Sequence, residues 1–195
     1  MCIIMLHSPR AKLTKRQFRN AWTYNPDGAG YLYAANGELY HGRGIHLDAD
    51  EAWDFYTTNR DRAKRRGAEV FAFHLRSATA GDTSMKNCHP FIIDDRVGIM
   101  HNGTLAAFNK YRQEAESDTA RFVNWWVLPA YEAHPASVFF LDSSFWDLTE
   151  QLYFSYSSRL LIINKNGDWR LLNRPQWREL KGGILYSTFG DYLNE

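Results

Sequence analysis

Cysteine is scarce: only Cys2 and Cys88 occur among 195 residues. Two thiols cannot build a disulfide framework, so the expected setting is a reducing cytoplasm, where a cysteine is either a buried hydrophobe or a reagent. Long apolar runs are also missing, and nothing approaches the ~20 residues of a membrane span. The opening Met1-Cys2-Ile3-Ile4-Met5-Leu6 stops at His7 and Pro9 with no basic stretch ahead of it, unlike a signal peptide. No charge sign dominates: 23 Lys plus Arg face 22 Asp plus Glu, a formal net charge of +1. A polyelectrolyte mode is thereby excluded, and neither a nucleic-acid nor a membrane partner is expected. Thirteen Gly, six Pro and no repeated tract argue against fibrous or disordered classes. With no linker-like stretch, residues 1–195 read as a single domain.

What is present is a series of short strands separated by turn signals. Residues 2–7 form an apolar run too short for a helix. Thr14 is a candidate N-cap for a helix from Lys15 to Trp22. Asn25-Pro26-Asp27-Gly28-Ala29-Gly30 reads as a turn-rich loop, and Asn36-Gly37 joins a first hairpin, Tyr31-Leu32-Tyr33 to Leu39-Tyr40. A helix is expected from Asp48 to Arg66, with Asp48 and Glu51 as a capping-box-like start and Gly67 as a stop. Val70 to Leu75 reads as a strand. A second hairpin joins Phe91-Ile92-Ile93 to Val97–Met100 through Asp94-Asp95. Ser117 caps an expected helix through Phe122, Val123, Trp125 and Trp126 that Pro129 should interrupt. Another helix should begin at Ser143 or Ser144, and a third hairpin joins residues 160–163 to Trp169–Leu172. A last strand is expected over Ile184 to Phe189. Hairpins with helices in separate groups predict an α+β fold of mainly antiparallel sheets.

Four places combine residue types suited to chemistry. If the residue ahead of it is removed, Cys2 carries a thiol and an α-amine together, with pKa values near ~8.5 and ~8. One residue then supplies nucleophile and base. Arg76, in His74-Leu75-Arg76-Ser77-Ala78-Thr79-Ala80-Gly81, presents a planar fork suited to a carboxylate. Asn102 and Gly103, in His101-Asn102-Gly103, offer two adjacent donors of the kind a tetrahedral oxyanion needs. Asp118, in Ser117-Asp118-Thr119, is a first-turn carboxylate able to meet an ammonium. Each has an ordinary structural explanation when taken singly: core cysteine, surface arginine, tight turn and helix cap.

In this order these segments, with Asn87-Cys88-His89-Pro90-Phe91 and Asn102-Gly103-Thr104-Leu105, resemble the class II glutamine amidotransferase domain of the N-terminal-nucleophile hydrolases, in its compact stand-alone type. The resemblance runs from residue 2 to about residue 120. It implies a four-layer αββα sandwich in which Cys2 attacks the side-chain amide of L-glutamine and forms a γ-glutamyl thioester. It further implies that Asn102 and Gly103 form the oxyanion hole, that Arg76 with Thr79 holds the α-carboxylate, and that Asp118 takes the α-ammonium. Ammonia would pass to a separate acceptor synthase. Many family members have Trp after the Arg, His after the Thr and an acid after Ser-Asp-Thr; here Ser77, Ala80 and Ala120 stand there. A stand-alone hydrolase of another γ-glutamyl amide, or a catalytically silent binding module on the same fold, are the alternatives.

No cofactor is expected. His74, Cys88, His89 and His101 match no compact zinc spacing, so no metal is expected. Gly28-Ala29-Gly30 and Gly42-Arg43-Gly44 lack the strand–loop–helix context of phosphate loops. Trp125 and Trp126 read as core packing. Two basic stretches, Arg10 to Arg19 and Arg60 to Arg66, read as solvated helix faces.

Overall fold

The computed structural model describes residues 2–79, 81–109, 115–188 and 193. Among the described residues ten strands form two sheets. The first sheet contains β1 (Ile3–His7), β2 (Ala29–Ala35), β3 (Glu38–Gly44), β4 (Phe71–Leu75), β9 (Arg178–Leu180) and β10 (Ile184–Tyr186), in the order β3-β2-β4-β1-β10-β9. The second contains β5 (Phe91–Ile93), β6 (Val97–Asn102), β7 (Arg159–Asn164) and β8 (Trp169–Leu172), ordered β5-β6-β7-β8. Every described strand pair is antiparallel.

The two-residue side-chain period of each strand sorts the core into three slabs. From β1, Ile3 and Met5 face α1 (Lys15–Tyr24) and α2 (Ala49–Arg65), packing with Phe18, Trp22, Ala52, Tyr56, Phe71 and Phe73. Ile4 and Leu6 face the other way and meet Met100, Leu161 and Ile163 of the second sheet. The outer face of that sheet, Ile99, Leu160 and Ile162, is covered by Phe122, Val127, Val138 and Trp146 from the later helices. The fold is therefore α+β, a four-layer αββα sandwich of two antiparallel sheets, as the sequence pattern and the resemblance implied.

Local chemistry explains most boundaries. Thr14 and Gln17 cap α1 reciprocally, the Thr14 hydroxyl accepting from the Gln17 N–H at 3.2 Å and the Gln17 side chain accepting from the Thr14 N–H at 3.0 Å. Asp48 caps α2 by accepting from the Asp50 and Glu51 N–H groups, both at 2.9 Å. Glu51 does not close the expected box; it reaches one residue further back, to the Leu47 N–H at 2.7 Å.

The later helices depart from expectation. Pro129 does not interrupt the chain, because α3 (Asp118–Phe122) runs through a π turn at Val123–Val127 into α4 (Leu128–Ala133). The Leu128 N–H bonds the Val123 carbonyl, five residues back, and this wide turn lets Pro129 enter at the start of a new helical segment, where its missing N–H is not needed. The same shift in phase leaves Trp125 53% exposed, correcting its expected place in the core, whereas Trp126 packs edge-on to Tyr153. Two elements were not anticipated, α5 (Pro135–Phe139) and β9; α6 (Ser144–Tyr153) follows Ser143 as expected. The last strand ends at Tyr186, and the Phe189 part of that expectation lies outside the described residues. Among the described residues no helix is long and apolar enough to cross a membrane.

Candidate active site

Cys2 sits half-buried at the head of β1, in the centre of the first sheet. Its sulfur lies 3.5 Å from the Ser77 carbonyl, to which the thiol donates, and accepts from the Ser77 N–H at 3.4 Å. Burial pushes the Cys2 thiol up, while the Ser77 N–H and the Arg76 guanidinium pull it down and Asp118 adds to the rise. The neutral thiol is thus the resting form, and a base must remove its proton before it attacks.

Arg76 leaves the end of β4 beside it, with only 3% exposure. Its backbone is clasped by the turn-rich loop: the Arg76 N–H donates to the Gly28 carbonyl at 2.8 Å, and the Asp27 N–H donates to the Arg76 carbonyl at 2.9 Å. The Asp27 carboxylate also accepts from the Ala78 N–H at 2.8 Å. Gly30 is needed here for close approach, since a Cβ would fall 1.8 Å from the His89 carbonyl oxygen.

The second sheet supplies the opposite wall. Gly103, just past β6, has φ of +128°, and a Cβ there would meet the Ser157 carbonyl oxygen at 2.2 Å. Asp118 is fixed by accepting from the Leu105 N–H and the Thr119 N–H, both at 2.8 Å. Cys2, Arg76, Ser77, Thr79, Asn87, His89, His101, Gly103, Ser117, Asp118 and Thr119 line one narrow cleft. Its free volume is about 20 Å³, room for roughly one water, so a larger ligand enters only as the walls part.

Five of the six expected site residues therefore share this cleft. Asn102 does not line it. Its side chain is fully buried and donates to the Ser187 carbonyl at 2.7 Å and the Ser187 hydroxyl at 3.0 Å. Ala80 lies outside the described residues. Of the lining residues without a role assigned from sequence, Asn87 and His101 tie the walls together. Asn87 binds Asp82, Ala115 and the Ser117 N–H, so it knits the Asn-Cys-His-Pro loop to the start of α3. His101 joins Thr119 through Nδ1 at 2.9 Å.

Three histidines gather at the cleft, His89 and His101 lining it, with the His74 and His89 rings 4.1 Å apart and His74 Nε2 3.2 Å from the His101 carbonyl. Burial lowers His74 to about 3 and His101 to about 4, and drives His89 well below its ordinary value. They are neutral scaffold at pH 7. Among the described residues no three His, Cys, Asp or Glu side chains gather in a form that could hold a metal ion.

Roomier hollows lie elsewhere, one of about 570 Å³ beside Asp147, Glu150, Gln151 and Phe154 on α6 and the residue after it. That one carries no nucleophile, so size does not mark the chemical site.

No protein-family model matches the chain. The amidophosphoribosyltransferase of Staphylococcus aureus is 31% identical over 120 residues, which are 60% of this chain and 23% of that protein. The amidophosphoribosyltransferase of Staphylococcus epidermidis is 29% identical over 119 residues, with the same coverage of each. The chain thus spans under a quarter of the length of these relatives. Among solved structures, a glutamine aminotransferase class-II domain protein from Silicibacter pomeroyi aligns over 95% of this chain and 87% of its own, at 14% identity and a TM-score of 0.46.

Proposed function

We propose that the chain is a class II glutamine amidotransferase domain that hydrolyses the side-chain amide of L-glutamine through a thioester on Cys2 and hands the ammonia to a synthase on a separate polypeptide. The observation that supports this most directly is the meeting, in one cleft, of a thiol with a buried guanidinium and a fixed carboxylate. A glutamine head group carries the two opposite charges, and its carboxamide would extend toward Cys2.

In this reading the residue ahead of Cys2 is removed, and the bared α-amine takes the thiol proton. The thiolate attacks the carboxamide carbon, and the amine returns the proton to the departing nitrogen, which leaves as ammonia. Water then attacks the thioester by the same route in reverse, releasing glutamate and restoring the thiol. Gly103 N–H and one Asn102 N–H receive the oxyanion. For this Asn102 keeps its 2.7 Å bond to the Ser187 carbonyl and turns its other N–H away from the hydroxyl. Arg76 and Thr79 hold the α-carboxylate, and Asp118 the α-ammonium. The whole of residues 1–195 is taken as the catalytic domain, working in a reducing cytoplasm.

Intact mass of the natively expressed protein, before and after exposure to a diazoketone analogue of glutamine, tests the reading. The expected result is a mature chain starting at Cys2 that gains one adduct on that residue and releases ammonia from glutamine. Cys2→Ala should abolish both adduct and turnover while leaving the thermal midpoint nearly unchanged. A chain that keeps the preceding residue and takes no adduct would point to a silent binding module. Faster turnover of other γ-glutamyl amides than of glutamine would move the assignment to a stand-alone hydrolase, and failure to co-purify an acceptor enzyme would remove the synthase partner.

A further inference from the structure

Ser187 departs from the hydrogen-bond ladder of its own sheet. β1 and β10 pair antiparallel, with Met5 opposite Tyr186 and Leu6 opposite Leu185. Continued by one step, that register sets Ile4 opposite Ser187. A closely spaced antiparallel pair exchanges two backbone bonds. One is made, the Ser187 N–H donating to the Ile4 carbonyl at 3.0 Å. The other is replaced: the Ile4 N–H donates at 2.8 Å to the Ser187 side-chain hydroxyl. That substitution releases the Ser187 carbonyl, which instead accepts from the Asn102 amide at 2.7 Å across the gap between the sheets. All three residues are fully buried.

A carbonyl oxygen can only accept, so the bond also fixes which end of the Asn102 amide faces Ser187. The amide oxygen finds no partner among the described residues. Ile4 is two residues from Cys2, and Asn102 immediately precedes Gly103. One serine therefore joins the strand that carries the thiol to the strand that carries the oxyanion donors.

We propose that Ser187 is a positioning residue for the amide-opening step: its hydroxyl stands in for a ladder carbonyl so that the real carbonyl can hold the Asn102 amide at a set distance from Cys2. This rests on the reading of Cys2 and Asn102 above. Without the hydroxyl, the Ile4 N–H either reclaims the Ser187 carbonyl, and Asn102 loses its anchor, or is left buried without an acceptor. Both outcomes disturb the oxyanion donor, and neither touches Arg76, Thr79 or Asp118.

Steady-state kinetics of the mature enzyme with glutamine test this. Ser187→Ala is expected to lower kcat about 10-fold or more while KM stays within about 2-fold, the pattern of an interaction felt in the transition state. Ser187→Thr keeps an oxygen at the same place and should restore most of kcat. In an Asn102→Ala background, Ser187→Ala should have little additional effect on kcat, since the partner it works through is gone. That cycle also covers the case in which the threonine variant does not fold. Unchanged or raised kcat in Ser187→Ala, equal changes in kcat and KM, or full additivity with Asn102→Ala would overturn the proposal. A wild-type enzyme with neither adduct nor ammonia release would instead refute the underlying reading.

Discussion

The two halves of the sandwich contribute to the cleft in different ways. The first sheet presents Cys2 and Arg76 from the ends of neighbouring central strands, β1 and β4, with five consecutive residue pairs in register between Ile3 and His7. Behind them lie two capped helices of 10 and 17 residues. The second sheet presents Gly103 and Asp118 from a turn and the start of a five-residue helix, backed by short segments and a π turn. Cys2 and Arg76 are thus set by strand register. Gly103 is set by a turn that tolerates no side chain, and Asp118 by backbone N–H groups around the start of α3. Under the proposed function a glutamine head group would be held from both halves, by Arg76 on one side and Asp118 on the other, and the seam between the sheets sets their spacing.

A substitution in the turn-built half should show the contrast most sharply. Gly103→Ala would place a methyl 2.2 Å from the Ser157 carbonyl oxygen at a φ of +128°. The backbone must move, and with it the Gly103 N–H. Loss or misplacement of one oxyanion donor is expected to slow turnover about 10²–10³-fold, and the strain to lower stability by about 1–3 kcal/mol. Kinetics and urea unfolding on the same variant check both. A variant with wild-type turnover would show that the backbone at 103 is not part of the oxyanion site.

Acid should distinguish the strands that carry buried histidines from those that carry none. His74 is lowered to about 3 and His89 well below its ordinary value by burial at the seam; His101, on the outer face of β6 against Thr119 and Phe154, and His7, beside Tyr56 in the first half, are each lowered to about 4 by burial as well. A buried neutral histidine binds its proton less readily than the unfolded chain does, near 6.5. Below that value the unfolded state takes up more protons, so stability falls as pH drops from about 6.5 toward 4 and is fully present above it. With His74 in β4 and His101 in β6, hydrogen exchange at pH 5 should rise in those two strands before it rises in β2 and β3. Uniform loss of protection would mean that the two halves open as one unit.

The same division governs what could be read from the sequence. Strands alternating on a two-residue period, the Asn36-Gly37 turn and the caps at Thr14, Asp48 and Ser117 depend on neighbours in the chain, and they were legible. Cys2, Arg76, Thr79, Gly103 and Asp118 were legible as a group only through the resemblance carried by the order of their segments, and the structure brings all five to one cleft. Pro129 misled because a wider turn just upstream absorbs its missing donor. The three-residue strand β9 carries too short a pattern to register. Ser187 had no local signature at all. Its meaning lies in a carbonyl released from one sheet to reach an amide in the other, and no window of adjacent residues contains both partners.

The smallest effect separates capped from uncapped architecture. In the first half Thr14 and Gln17 satisfy two otherwise unpaired N–H groups at the start of α1. In the second half Ser143 precedes α6 without making a side-chain cap, and Leu148 on that helix is 47% exposed. Thr14→Ala should therefore destabilise the protein by about 1 kcal/mol, read as a lower urea midpoint at constant slope. Leu148→Ser should stay within about 0.5 kcal/mol, because it removes little buried surface and no bond. Neither should alter turnover, since both lie outside the residues lining the cleft. If Leu148→Ser instead proves the costlier change, the exposed face of α6 is covered in solution, and the helices of the second half owe their stability to a contact beyond this chain.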